Sequence, residues 1–232
     1  MSVLNRGGAD VAERLTLAVG GGLHVSALLA LPGHARGCYV MAHGAGAGME
    51  HPFMSAVAAE LADRGIATLR YQFPYMEGRA RRPDPPPLCH ATVRAAVAEC
   101  ARLAPTLPLI AGGRSFGGRM TSQAQALAPL EGVRGLAFLG FPLHPAGRPS
   151  DSRAEHLFRV EIPLLFLQGT RDALAARALL EALLRRLGAR ASVSWLEEAD
   201  HGFHVPVRSG RNDRQVRSTL LEALAEWLDG LL

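Results

Sequence analysis

Ala111-Gly112-Gly113-Arg114-Ser115-Phe116-Gly117-Gly118-Arg119 is the stretch whose reading decides the fold. An apolar run, Leu107 to Ala111, leads into it, and a helix-patterned run to about Leu127 leaves it. Within it lies G-x-S-x-G. Glycines on either side of a serine let the backbone turn sharply from strand to helix and leave the hydroxyl exposed at the strand's end. A chain of 232 residues with 25 glycines meets that pattern by chance about one time in ten. The flanking sequence therefore has to decide.

Toward the C-terminus the pattern continues as alternating strand and helix. Val133 to Leu139 reads as a buried strand closing on Gly140-Phe141-Pro142-Leu143-His144-Pro145, followed by a short helix near Arg153 to Phe158. The strand Pro163 to Gln168 ends in Gly169-Thr170-Arg171-Asp172, and a helix spans Leu174 to Leu187. Ser192 to Leu196 is the last strand, with Ala199-Asp200-His201-Gly202-Phe203-His204 after it and an amphipathic helix from about Arg211 to Leu231. Toward the N-terminus, Leu107 to Ala111 is preceded by a helix from about His90 to Leu103 and by a loop, Pro74 to Pro87, whose prolines argue against regular structure. Before these come a strand at Ile66 to Phe73, a helix at Pro52 to Arg64 and a doubly apolar strand at Gly37 to His43. That strand runs into the glycine-rich loop His43 to Gly48. Glu13 to Val19 and Leu23 to Leu31 form a hairpin about Gly20-Gly21-Gly22. Alternation from Gly37 onward implies an α/β fold with a mostly parallel central sheet and helices on both faces.

Bulk properties narrow the chemistry. A chain that is 48% hydrophobic and 20% charged supports one large core, so residues 1–232 are expected to form a single domain. The formal net charge of +4 is carried by arginine, because there is no lysine. A Schiff-base lysine, a Ser-Lys dyad and a G-x-x-x-x-G-K phosphate loop are thereby excluded. The arginines are scattered, which suits a solvated surface rather than a nucleic-acid partner. Cys38, Cys89 and Cys100 form no C-x-x-C pair and suit reduced thiols. Met1 to Arg14 lacks the apolar centre of a secretory signal, and no apolar run approaches the roughly 18 residues of a membrane span. The expectation is a cytoplasmic protein without a membrane partner.

In doubly wound sheets, ligands bind beyond the carboxyl ends of the strands. Four strands deliver polar or glycine-rich segments to that edge: His43 to Gly48, Ser115, Asp172 and His201. Serine, aspartate, histidine is also the chain order of an α/β-hydrolase triad. A serine hydroxyl is a weak nucleophile, so His201 has to take its proton and return it to the leaving group, while Asp172 fixes the imidazole tautomer. The oxyanion needs two preplaced donors, expected from the backbone N–H of Phe116 and of Ala45. Other readings stand beside these. Ser115 fits a helix N-cap, Glu197, Glu198 and Asp200 compete with Asp172, and His204 competes with His201. Histidine spacing is too unspecific for a metal site. Arg114, His43 and His144 are candidates to contact the substrate, although His43 reads as a loop-structuring residue rather than a catalyst. Arg114 and Arg119 suit either an acidic substrate group or structural ion pairs.

Ala42-His43-Gly44-Ala45-Gly46, Gly112 to Arg119, Phe141 to Pro145 and Ala199 to Phe203 together resemble the small, cap-less α/β-hydrolases related to dienelactone hydrolase. More closely, they are similar to the bacterial group related to testis-expressed and chromatin-complex proteins of animals. The resemblance implies the α/β-hydrolase fold without a lid domain and a serine triad on Ser115, Asp172 and His201. Dienelactone hydrolase itself resembles a cysteine-nucleophile enzyme, and serine stands at that place here. The resulting expectation is a cofactor-free serine hydrolase acting on a small-molecule acyl ester or thioester. Its cleft should be open and shaped by Pro74 to Pro87 and Phe141 to Ser150. The rival is a non-catalytic scaffold that keeps the fold.

Overall fold

The computed structural model describes residues 12–232. Residues 1–11, which carry most of the segment read as lacking a secretory signal, lie outside the described residues. Eight strands form one sheet: β1 (Glu13–Gly20), β2 (Leu23–Ala30), β3 (Gly37–Ala42), β4 (Ile66–Tyr71), β5 (Leu109–Arg114), β6 (Val133–Leu139), β7 (Leu164–Gly169) and β8 (Ala191–Leu196). Their spatial order is β1-β2-β4-β3-β5-β6-β7-β8. The hairpin β1/β2 and the β2/β4 pair are antiparallel, and every pair from β4/β3 to β7/β8 is parallel.

The parallel strands are apolar on both faces because helices cover both. Alternate side chains of β3 go opposite ways. Cys38, Val40 and Ala42 join one core with Val93, Val97, Met120, Ala124 and Leu183, whereas Tyr39 and Met41 join the other with Val57, Leu61, Leu220 and Leu224. Thus α3 (Pro86–Leu103), α4 (Phe116–Leu127) and α5 (Arg177–Leu187) cover the first face, and α1 (Pro52–Asp63) and α6 (Asp213–Asp229) the second. Complete burial of one Leu or Val side chain stabilises by about 1.5–3 kcal/mol, so the Leu61–Leu220–Leu224 contact is a substantial clamp on α1 and α6. Asn212 starts α6 with a capping box, accepting from the Gln215 N–H while the Gln215 side chain accepts from its own.

Helix starts depart from the sequence reading for identifiable reasons. The stretch Pro74 to Pro87 contains a helical turn, α2 (Pro74–Glu77), and α3 begins at Pro86 rather than His90. Both begin on proline, which suits the first turn of a helix because its missing N–H would have no helical acceptor there. α5 begins at Arg177 rather than Leu174. The N–H of Leu174 is bound by the Asp172 carboxylate at 2.7 Å and that of Ala176 by His144 Nε2 at 2.9 Å, so the intervening residues form a turn. The short helix after β6 is a 3₁₀ segment, Ser152–Arg159.

The chain crosses from β3 to β4 on one side of it and then from β4 back past β3 to β5 on the other, so the strand order reverses beside β3. The loops after β3 and β5 open onto this switch point, where doubly wound sheets bind ligands. Segments following the strands there are short, and none of the described residues forms a separate lid.

Candidate active site

The turn after β5 is built by close approach. β5 pairs with β3 so that Gly113 lies opposite Ala42. A Cβ on Gly113 would come within 2.2 Å of the Ala42 carbonyl oxygen, and one on Gly117 within 2.5 Å of the His43 carbonyl oxygen. Only glycine lets α4 start directly against the end of β3. Thr121 Oγ1 bonds the Gly117 carbonyl at 2.9 Å and fixes the first turn. Between the glycines, Ser115 is forced to φ 48°, ψ −115°. Such a backbone costs about 1–3 kcal/mol and persists only where its surroundings over-determine it.

Ser115 heads α4 but its side chain does not cap it. Its Oγ lies 2.8 Å from His201 Nε2, and His201 Nδ1 lies 2.7 Å from Asp172 Oδ2. An ionised carboxylate only accepts, so Nδ1 carries the ring proton toward Asp172 and Nε2 is left to accept from the hydroxyl. The Asp172 side chain is fully buried and that of His201 is 23% exposed. Burial of a carboxylate requires partners, and Asp172 has three. Besides His201, Gln168 Nε2 donates to Oδ2 at 2.5 Å and the Leu174 N–H donates to Oδ1 at 2.7 Å.

The competing groups are engaged elsewhere. Asp200 Oδ1 accepts from the N–H groups of Gly202 and His204, shaping the loop that presents His201. Glu198 faces Arg171 and Arg208, and Glu197 faces Arg177. His204 points to Asp213 at 2.6 Å, with its side chain 70% exposed.

At the other side of Ser115, the Phe116 N–H occupies the first position of α4, where a helix supplies no acceptor. Among the described residues neither this N–H nor that of Ala45 has a hydrogen-bond acceptor. The Ala45 loop is pinned from behind, because Tyr75 Oη donates to the Ala45 carbonyl at 2.9 Å. Tyr75 meets Phe116 edge-on and stacks on Phe73.

Two of the residues expected to contact substrate are instead buried in the loop framework. His43 is fully buried, with Nδ1 donating to the Gly44 carbonyl at 2.8 Å and Nε2 accepting from the Phe73 N–H at 3.0 Å. Burial pushes its pKa down to about 4, against a small opposing effect of the Gly44 carbonyl, so the ring is neutral. His144 likewise donates from Nδ1 to the Pro145 carbonyl at 2.9 Å and accepts from Ala176 at Nε2. Neither ring has a nitrogen left for a ligand. Each sits where irregular backbone needs a polar partner, and its two nitrogens meet that need.

Arg114 does reach open space. It lines a cleft of about 340 Å³ with Gly202, Phe53, Ala56 and Phe203, and neither Ser115 nor His201 is on the wall of that cleft. The Arg114 guanidinium stacks 4.3 Å over the Phe53 ring, which in turn stacks on Phe203 at 5.7 Å. Burial disfavours its charge, and Asp200 and Asp172 partly offset this. Its Nη1 is buried without a partner.

Gln168 and Tyr75 escaped the sequence reading. Gln168 carried a detectable signal, a lone amide inside the apolar strand Leu164–Gly169 four residues before Asp172. Tyr75 carried none, since its partner is the Ala45 carbonyl, thirty residues away. All three cysteines are buried and free. Among the described residues no group of three or more His, Cys, Asp or Glu side chains is arranged to hold a metal ion, and no helix is long and apolar enough to cross a membrane.

Comparison with known proteins agrees with this architecture. The family model for the alpha/beta hydrolase domain matches residues 35–229. Among solved structures, dienelactone hydrolase from Anabaena variabilis is similar with a TM-score of 0.76 and 23% identity, over 94% of this chain and 97% of that one. A serine hydrolase without a lid from Xanthomonas campestris is similar with a TM-score of 0.72 and 22% identity, over 94% of this chain and 95% of that one. An alpha-beta serine hydrolase homologue from Coxiella burnetii gives a TM-score of 0.72 at 17% identity, over 97% and 100%. At these identities the likeness is one of fold.

Proposed function

We propose that this chain, which belongs to the alpha/beta hydrolase domain family, is a serine hydrolase that cleaves a small carboxylic ester or thioester through an acyl-enzyme. The observation that carries the reading is the unbroken relay of 2.8 Å and 2.7 Å from Ser115 Oγ through His201 to Asp172. It ends on a buried carboxylate whose remaining contacts are all donors.

In this mechanism Ser115 Oγ attacks the carbonyl carbon while its proton passes to His201 Nε2. Asp172 stabilises the imidazolium and does not itself take the proton. The carbonyl oxygen becomes an oxyanion and accepts from the Phe116 and Ala45 N–H groups; losing one such donor typically costs about 3–4 kcal/mol of transition-state stabilisation. Collapse breaks the bond to the leaving oxygen or sulfur, which takes the proton from His201 Nε2 and departs as alcohol or thiol. Water then repeats the cycle on the acyl-serine, releasing the acid and restoring the Ser115 hydroxyl. No step requires a cofactor.

Turnover of p-nitrophenyl acetate and of a short acyl thioester by the intact chain and by Ser115→Ala tests the reading. Activity that disappears in the variant supports it. Equal turnover in both, or no turnover of any activated ester while a protein partner co-purifies at fixed ratio, points to the scaffold role.

A further inference from the structure

On the opposite face of the sheet from α1 and α6, which flank the Arg114 cleft, lies a second depression, of about 400 Å³, between α4 and the 3₁₀ segment Ser152–Arg159. Three guanidinium groups line it, those of Arg119, Arg153 and Arg159, against a single carboxylate, Glu155. Among the described residues none of the three arginines takes part in an ion pair.

Arg119 is the most constrained of the three. Its guanidinium lies 5.8 Å over the Phe116 ring, and its Nε is buried without a partner. Arg153 is near enough to oppose its charge, as burial also does. The floor is fixed, because His156 Nε2 sits 2.7 Å from Ser122 Oγ on α4. His156 is driven to a pKa of about 4 by burial and then by Arg119, Arg159 and His90. The ring is therefore neutral, and its titration reports the uncompensated positive charge around it. Three like charges gathered against one carboxylate raise the energy of the empty cleft, and a bound anion would lower that penalty.

We propose that this cleft is a binding site for a phosphate-bearing ligand, a phosphomonoester or diphosphate, held by Arg119, Arg153 and Arg159. A carboxylate has one edge and fills one guanidinium fork. A phosphate offers several oxygens in a tetrahedral arrangement and serves forks arriving from α4 and from the 3₁₀ segment together. Gln123 and Ser152 add neutral donors at the rim. None of Ser115, Asp172 and His201 lines this cleft, so the site holds whether or not Ser115 is the nucleophile.

The test is isothermal titration of the full chain with inorganic pyrophosphate at low ionic strength, with acetate as the comparator. The proposal expects one saturable site, unchanged in Ser115→Ala and at least about tenfold weaker in the double variant Arg153→Ser/Arg159→Ser. Glu155→Gln should tighten it. A second readout is the His156 ring resonance, whose titration midpoint should rise above about 4 when pyrophosphate is bound. Absence of saturable binding to the intact protein would overturn the proposal. So would equal affinity in a folded double variant, or acetate binding as tightly as pyrophosphate.

Discussion

Gln168 and Asp172 are joined at one oxygen: the Gln168 amide donates to Asp172 Oδ2 at 2.5 Å, the same oxygen that faces His201 Nδ1 at 2.7 Å. Gln168 is itself fully buried and held from the other end, its Oε1 accepting from the Phe141 N–H at 2.9 Å. The base of the relay is thus fixed to the loop after β6. The amide also draws off part of the carboxylate's charge.

Gln168→Leu should therefore change the pH profile as well as the rate. With the donor gone, more of the Asp172 charge acts on the imidazolium, so the acid limb of kcat/KM moves to higher pH. The orphaned Phe141 N–H should lower stability by about 1–3 kcal/mol. Rates across pH 5 to 9 and a thermal melt check both. An unshifted acid limb would mean that Gln168 is only a packing residue.

Tyr75→Phe removes a single hydroxyl, the one that donates to the Ala45 carbonyl. Folding should be retained, because the ring contacts with Phe73 and Phe116 remain. A looser Ala45 loop should lower kcat by up to about tenfold with KM little changed, corresponding to one hydrogen bond between neutral groups. Steady-state kinetics on p-nitrophenyl acetate separates the two parameters.

Gly117→Ala would place a methyl group 2.5 Å from the His43 carbonyl oxygen and 2.7 Å from Ala42 Cβ. Backbone has to move, and the element that moves carries the Phe116 N–H. A stability loss of about 1–3 kcal/mol is expected from overpacking, with activity falling further than a melt alone would suggest. Chemical denaturation paired with turnover measures the two effects.

His43 and His156 make the fold acid-sensitive. Each ring has a pKa of about 4 in the folded protein, against about 6.5 for an unperturbed histidine. Between these values the unfolded chain binds the extra protons, so stability is complete above about pH 6.5 and is lost as pH falls toward 4. The loss is roughly 3 kcal/mol per ring over that interval. Urea midpoints from pH 7 to 4 should show it. His43→Gln and His156→Gln should each flatten the slope by about one proton, or 1.4 kcal/mol per pH unit.

Much of this architecture was legible in the sequence because strand-helix alternation and glycine spacing are local signals. Ser115, Asp172 and His201 could be expected at one edge because each lies within five residues of a strand's end and parallel strands bring their ends together. The structure places the three side chains in hydrogen-bond reach of one another in series. The supports of the site were not legible in the same way. Gln168 acts through the Phe141 N–H and Tyr75 through the Ala45 carbonyl, contacts made only when distant loops close on each other. His144 illustrates the reverse: its position beside the site suggested contact with substrate, whereas loop backbone claims both ring nitrogens. His43 reads from the sequence as a loop-structuring residue, and its two ring nitrogens do bond loop backbone. The start of α5 was misplaced for a related reason, since the Asp172 carboxylate binds the Leu174 N–H and delays the helix.

Fluorophosphonate labelling followed by peptide mass mapping tests the central claim most directly, because the reagent reports the activated hydroxyl without requiring the natural substrate. The account predicts one adduct per folded chain, on Ser115, absent in Ser115→Ala and formed far more slowly in His201→Ala. An adduct on another residue, or a folded protein that reacts at no serine, would contradict it.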